Sequence, residues 1–216
     1  MKTIIQIVLW IACIVFGYLI YKSVTGPIEF NRVKEERYAK VISKLKDIRV
    51  SQEAYKTVNG KYAPDFNKLV KFVESGQYTI TQQRDSSFMY FDEVYKIDQQ
   101  KDTVLIDTLG TVSVRDSLFK KDDRFKAMME IPGAANGEKV TMKADIIDKG
   151  GYKAPVFEAK VDKKTILFDQ PKDLLAKEMT ESSVEEVNGP AIVVGSLEEV
   201  STSGNWPPIY DKKIDQ

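Results

Sequence analysis

Few residues in this chain could do chemistry by their type and spacing. Ser43 and Lys46 form an S-x-x-K pair, which on a helix sets a hydroxyl on the same side as an amine, as serine and lysine are used in acyl enzymes. Neither an S-D-N nor a K-T-G partner accompanies them, so the pair reads as part of an exposed helix face. Asp98, Asp102 and Asp107, or the neighbours Asp122 and Asp123, supply carboxylates for acid–base work or calcium. They lack the spaced loop and closing Glu of an EF-hand and read as solvated turn acids.

Exclusions say more. The chain has no histidine, which removes Ser-His-Asp and Cys-His nucleophiles, histidine-ligated zinc and imidazole catalysis. It has no G-x-x-x-x-G-K-[ST] and no G-x-G-x-x-G, so no phosphate loop points to a nucleotide. Basic and acidic residues balance at 32 each, leaving no electrostatic footprint for nucleic acid. The expectation is a non-enzymatic protein with no cofactor and no metal.

What the chain does carry is an anchor. Residues 3–21 are uncharged and as a helix reach roughly 28 Å, close to the ~30 Å hydrocarbon layer. Ile4, Ile7, Trp10, Ile11, Ile14 and Phe16 supply the apolar surface, Gln6 is the strongly polar interruption, and Tyr18 and Tyr21 fall at the far interface. A cleaved signal peptide is the rival reading. The apolar block is long for one, and Tyr18, Leu19, Tyr21 and Lys22 stand where small residues would mark the cut. The only cysteine, Cys13, lies within the span and reads as a small apolar residue. With Gly17 four positions on, it permits close approach of a second helix.

Charge around the span bears on orientation. Lys2 stands on the near side and Lys22, Arg32, Lys34, Arg37 and Lys40 on the far side. Taken alone, this positive-inside count favours a cytoplasmic body.

Beyond the anchor, Gly26 and Pro27 signal a hinge, since proline disfavours helix at and before itself. From Glu29 to about Val58 the period turns helical, with Tyr38, Val41, Leu45, Ile48, Gln52 and Tyr55 at spacings of three and four. The narrow stripe suits a coiled-coil seam or packing on the chain's own sheet, and the second is preferred. Asn59 and Gly60 end it, and Pro64 and Asp65 open a shorter helix that stops at Gly76.

After Gly76 the period becomes two, with strands expected at 77–82, 87–91, 103–107, 111–115, 139–147, 155–161, 164–168 and 191–194. Val140, Met142, Ala144 and Ile146 alternate most clearly. Partial helix is expected over 115–129, a short helix over 171–179, and an extended tail at the end. Trp206 in that tail either closes the core or anchors a partner; Tyr38, Leu45 and Trp206 are taken as candidate partner contacts. The organisation is thus α+β: anchor 1–23, hinge 24–28, helical segment 29–76, and a mostly antiparallel β-rich domain 77–216.

The helix end and its turn, with Ala54, Tyr55, Asn59, Gly60, Tyr62 and Pro64, resemble the N-terminal part of type IV pilins and type II secretion pseudopilins. The prepilin-peptidase glycine and the glutamate at the fifth mature position of that family are missing here. Over its whole length the chain is similar to a group of single-pass envelope proteins of Bacteroidota, through IRVSQEAYKTVNGKY (48–62), VSVRDSLF (112–119) and VGSLEEVSTSGNWP (194–207). That resemblance implies an inner-membrane anchor, a periplasmic body and a part in an envelope assembly, with no activity and no functional residues to carry over. The expectation is an adaptor or scaffold subunit of a secretion- or motor-type complex, bound to the bilayer and to envelope proteins, copies of itself included. The alternatives are a pilin-like filament subunit and a membrane-tethered enzyme using carboxylates or the Ser43–Lys46 pair.

Overall fold

The computed structural model describes residues 2–92, 96–120, 122–134 and 137–211; the ends of the anchor and body segments, Met1 and 212–216, lie outside them. Its spine is α1 (Lys2–Asn59), 58 residues of helix and so roughly 87 Å long at ~1.5 Å per residue. The expected hinge is corrected: Gly26 and Pro27 lie inside α1, which runs from the apolar stretch into the amphipathic one without a break. A proline removes one N–H and crowds the carbonyl four residues back, here that of Ser23. Ser23 is exposed, so its carbonyl can be taken up by solvent, and the long runs of helix on both sides carry the chain through.

From Phe30 on, one face of α1 is buried. Tyr38, Val41, Ile42, Leu45 and Ile48 are each at most 1% exposed, and removing them from water contributes on the order of 10 kcal/mol before conformational entropy is subtracted. Gln52, the polar residue on this stripe, is matched to a peptide group. Its Nε2 donates to the Ala63 carbonyl (2.9 Å) while its Oε1 accepts from the Ala63 N–H (2.8 Å). That pins the turn into α2 (Phe66–Ser75), whose N-cap Asp65 accepts from the Lys68 N–H and which buries Leu69 and Val73.

The stripe packs on a three-stranded antiparallel sheet of β3 (Thr141–Lys149), β4 (Tyr152–Asp162) and β5 (Ala191–Ser196), with β4 central. Phe157, Ala159 and Val161 of β4 and Ile192 and Val194 of β5 fill the core. Gly195 cannot carry a side chain: its φ is +77°, and a Cβ would sit 2.2 Å from the Phe157 carbonyl oxygen. On β3, Met142 and Ala144 turn inward as expected, whereas Ile146 is exposed because the β3–β4 hairpin outruns the core. Ahead of β3 in the chain lie α3 (Val114–Phe119) and a 3-10 turn, Arg124–Ala127.

One expectation at the C-terminal side changes. Residues 164–168 form no strand; α4 (Lys163–Ile166) turns there instead, burying Lys163, Ile166 and Leu167. After α5 (Lys172–Met179) and β5, the tail runs back along β5. The Gly195 N–H donates to the Ser203 carbonyl (2.9 Å) and the Asn205 N–H to that of Val193 (3.1 Å). The Asn205 side chain bonds Val193, Asn188 and Ala191, closing an edge that would otherwise be open.

The largest departure is β1 (Gln77–Asp92) and β2 (Ile97–Ser113), 16 and 17 residues long, which pair only with each other. Four short strands were expected where there are two long ones. The Asp107-Thr108-Leu109-Gly110 stretch, turn-like by composition, is absorbed as a bulge: Ile80 pairs with Gly110 and Thr81 with Thr108, leaving Leu109 extra.

Candidate functional site

The residues that could do chemistry are not assembled for it. Ser43 is exposed. Lys46 donates to the Tyr210 carbonyl and pairs with Asp211 at 3.0 Å, so its amine serves two oxygens rather than acting as a base for Ser43. Its hydrogen bond holds the Asp211 carboxyl below the usual range, and burial pushes the Tyr210 phenol up to about 12. These groups line an open groove of about 720 Å³ with Glu35, Arg124 and Glu186. On the β1–β2 hairpin Asp107 pairs with Arg84, while Asp98 and Asp102 project from the opposite face by strand alternation. Asp122 accepts from the Arg124 N–H (3.0 Å) and Asp123 holds Arg115 (2.7 Å). Among the described residues no three metal-ligating side chains come together.

Beneath α1 lies a charged cluster that the sequence reading missed. Lys34 contacts Glu178 (3.1 Å) and Glu186 (2.9 Å). Lys163, with no exposed surface, donates to the Glu178 carboxylate (2.7 Å) and to the carbonyls of Glu178 (2.8 Å) and Val187 (2.7 Å). Tyr38 OH adds a bond to Glu178 (3.2 Å). Burial pulls the Lys34 pKa down, but the bonds from Glu186 and Glu178 outweigh it and leave it raised. Burial, reinforced by the Glu178 charge, holds the Tyr38 phenol far above its ordinary value. Every ammonium here has its acceptors, so the cluster is a clasp that fastens α1 to α4 and α5, not a reactive site.

Two surfaces are left uncovered, and both are apolar. The first is the N-terminal part of α1, long and apolar enough to cross a membrane, with none of that window buried. Ile4, Ile7, Trp10, Ile11, Ile14, Phe16, Tyr18 and Tyr21 are all more than half exposed. Cys13 is exposed, and a side chain on Gly17 would meet open space. From Tyr21 to Phe30, the first buried residue of α1, the helix climbs ~14 Å, under three turns and roughly twice the depth of one head-group layer. The body therefore begins next to the apolar stretch; the long helix is embedded in it and does not lift it away.

The second is the β1–β2 hairpin, an arm of roughly 54 Å at ~3.4 Å per residue. It joins the body at its base, where the Val114 N–H donates to the Gly76 carbonyl (3.0 Å). Strand alternation and register give it two faces. One carries Tyr78, Ile80, Phe88, Tyr90, Leu105 and Val112, crossed by the Arg84–Asp107 pair and by Lys101 over the Tyr90 ring. The other carries Met89, Phe91, Val104 and Ile106, and its only charges are Asp85, Asp98 and Asp102. Ile106 is 68%, Met89 66% and Phe91 59% exposed. A lone two-stranded ribbon is marginal in water, and this one exposes large apolar side chains on both faces.

The three candidate partner contacts are corrected. Tyr38 and Leu45 have no exposed surface and Trp206 has 8%, with the Trp206 indole N–H donating to Asp211 (3.2 Å). All three hold the body together. Tyr38 and Leu45 belong to the stripe that meets the sheet, and Trp206 closes the tail over it. Compared with protein-family models, with curated proteins and with solved structures, the chain matches none.

Proposed function

We propose that this protein is a non-enzymatic, membrane-anchored scaffold whose β1–β2 arm is its docking element. The observation that carries the reading is the arm itself: two long strands with apolar side chains on both faces and no support from the body beyond the base. A ribbon of that kind is held in water at a cost unless something covers it. The N-terminal part of α1 fixes the chain in the bilayer, the body is a compact mount, and the arm is presented near the membrane surface to polypeptide partners. Consistent with the envelope proteins it resembles, the body stands in the periplasm and the partners are envelope proteins.

The test is excision. Replacing residues 81–109 with an Asn-Gly turn joins Ile80 to its partner Gly110 at the arm's base and leaves the core residues of α1, β4 and β5 in place. The shortened protein is expected to unfold within a few degrees of the intact one and to lose every partner that co-purifies with the intact membrane form. Retention of those partners would sink the proposal.

A second reading, a pilin-like filament subunit, is favoured by the unbroken run of α1 from apolar stretch to core. It requires processing of the N-terminus, so recovery of the mature protein with Met1 intact would remove it.

A further inference from the structure

The docking reading leaves open what meets the arm's edge, as distinct from its faces. β2 is paired on one side by β1, and no strand among the described residues pairs with the other. Natural edges of this length are blunted with proline, bulges or several lysines. From 97 to 108 β2 has no proline and a single lysine, Lys101, and the bulge comes only at Leu109. In its middle, Val104, Leu105 and Ile106 are 45%, 49% and 68% exposed. The middle of β1, residues 82–87, reads QQRDSS and offers no such run.

We infer that the edge of β2 pairs with β2 of a second copy of this chain, giving a continuous four-stranded antiparallel sheet about a two-fold axis at Val104. Edge-to-edge pairing about such an axis keeps each face on its own side, so only residues of the same face can stand opposite. With Val104 facing Val104, Thr103 faces Leu105, Asp102 faces Ile106, and Lys101 faces Asp107 of the second copy. The symmetry repeats the Lys101–Asp107 match on the other side of the axis. Among registers centred on residues 102 to 106, this one alone sets opposite charges together. Centring on Asp102 puts that carboxylate against itself, and the remaining three match no charges. Opposite charges directly across strands stabilise pairing and like charges oppose it. The pairing also covers the Val104–Ile106 edge, which is the part of the arm least protected against strand addition.

The inference rests on the arm being a docking element and is tested apart from it, on the full chain in detergent with micelles in excess. The intact protein is expected to sediment as a dimer. Lys101→Asp and Asp107→Lys should each raise the dissociation constant at least about tenfold. An equimolar mixture of the two should restore it, because both facings in the mixed pair are again opposite in sign. The strain Asp107→Lys places on Arg84 is present in monomer and dimer alike and cancels. Independently, in a Cys13→Ser background, Val104→Cys should form an intermolecular disulfide under mild oxidation while Ser86→Cys on β1 does not. A monomeric intact chain, a mixture no tighter than its components, or cross-linking at 86 in place of 104 would each overturn the inference. Of those outcomes, none touches the excision result: an arm that retrieves envelope partners yet never self-pairs keeps the docking reading and loses this one.

Discussion

Lys163 shows how a charge is kept inside this protein. Its three ammonium protons meet three oxygens, one carboxylate and two carbonyls, so the group is satisfied but intolerant of loss. Lys163→Met strands those carbonyls and leaves Glu178 under-neutralised, and is expected to destabilise the fold by about 3–5 kcal/mol, read from urea unfolding of the full chain in detergent. A loss below about 1 kcal/mol would mean that the clasp does not hold α1. Lys34 and Tyr38 add a pH signature. Both bind their protons more tightly folded than unfolded, so their contribution is complete below the ordinary values of 10.5 and 10.0 and is lost as pH rises through the raised folded ones. The thermal midpoint should therefore hold steady to about pH 9.5 and fall beyond it, with Tyr38→Phe reducing the fall. Asp169 acts in the opposite sense. Its bonds to Arg37 hold it at about 2, but it is too exposed to weigh much. The clasp was partly legible in the sequence: Lys34 continues the Tyr38, Val41, Leu45 stripe one step back. A lysine there reads as the stripe's end unless its acid partners, some 140 residues away, are known.

At the scale of elements, α1 and the arm are where pattern and fold part company. Gly26-Pro27 carries strong breaking chemistry, yet a proline takes away one hydrogen bond, and in an exposed turn flanked by good helix that is not enough to end it. Continuity is measurable. Spin labels at Lys22 and Glu36, both exposed and fourteen residues apart, should report one narrow distance near 21 Å; a broad distribution would restore the hinge. The body's strands were legible because burial concentrates apolar residues along them, on one side of β3 and on both sides of the central β4, where Val156 and Phe157 are each at most 2% exposed. The arm has no buried side, so its alternation carries little contrast, and residues 83–86 and 108–110 read as breaks between strands. The α4 stretch failed for another reason. Its apolar run is too short to show a period, and burial of Lys163 decides its turn.

For the whole molecule, the order of anchor, long helix and antiparallel sheet was readable from residue types alone, whereas the division of the β region into mount and arm was not. Nothing in a linear pattern says which strands will find a core. The positive-inside count points to a cytoplasmic body and the proposed envelope role to a periplasmic one. An alkaline phosphatase fused to Gln216 in intact cells is expected to be active, and activity from a cytoplasm-only reporter instead would turn the body to the other side. The unbroken α1 has a mechanical corollary. With the apolar stretch and the spine in one rod, the direction in which the arm points around the axis of α1 is set by residue count. One residue added between Tyr21 and Phe30 would turn the body by about 100° and raise it ~1.5 Å, while a full turn's worth would return it to nearly the same heading some 5 Å higher. The stretch from Lys22 to Glu29 thus sets a phase between the apolar stretch and the body by its length and not by its side chains.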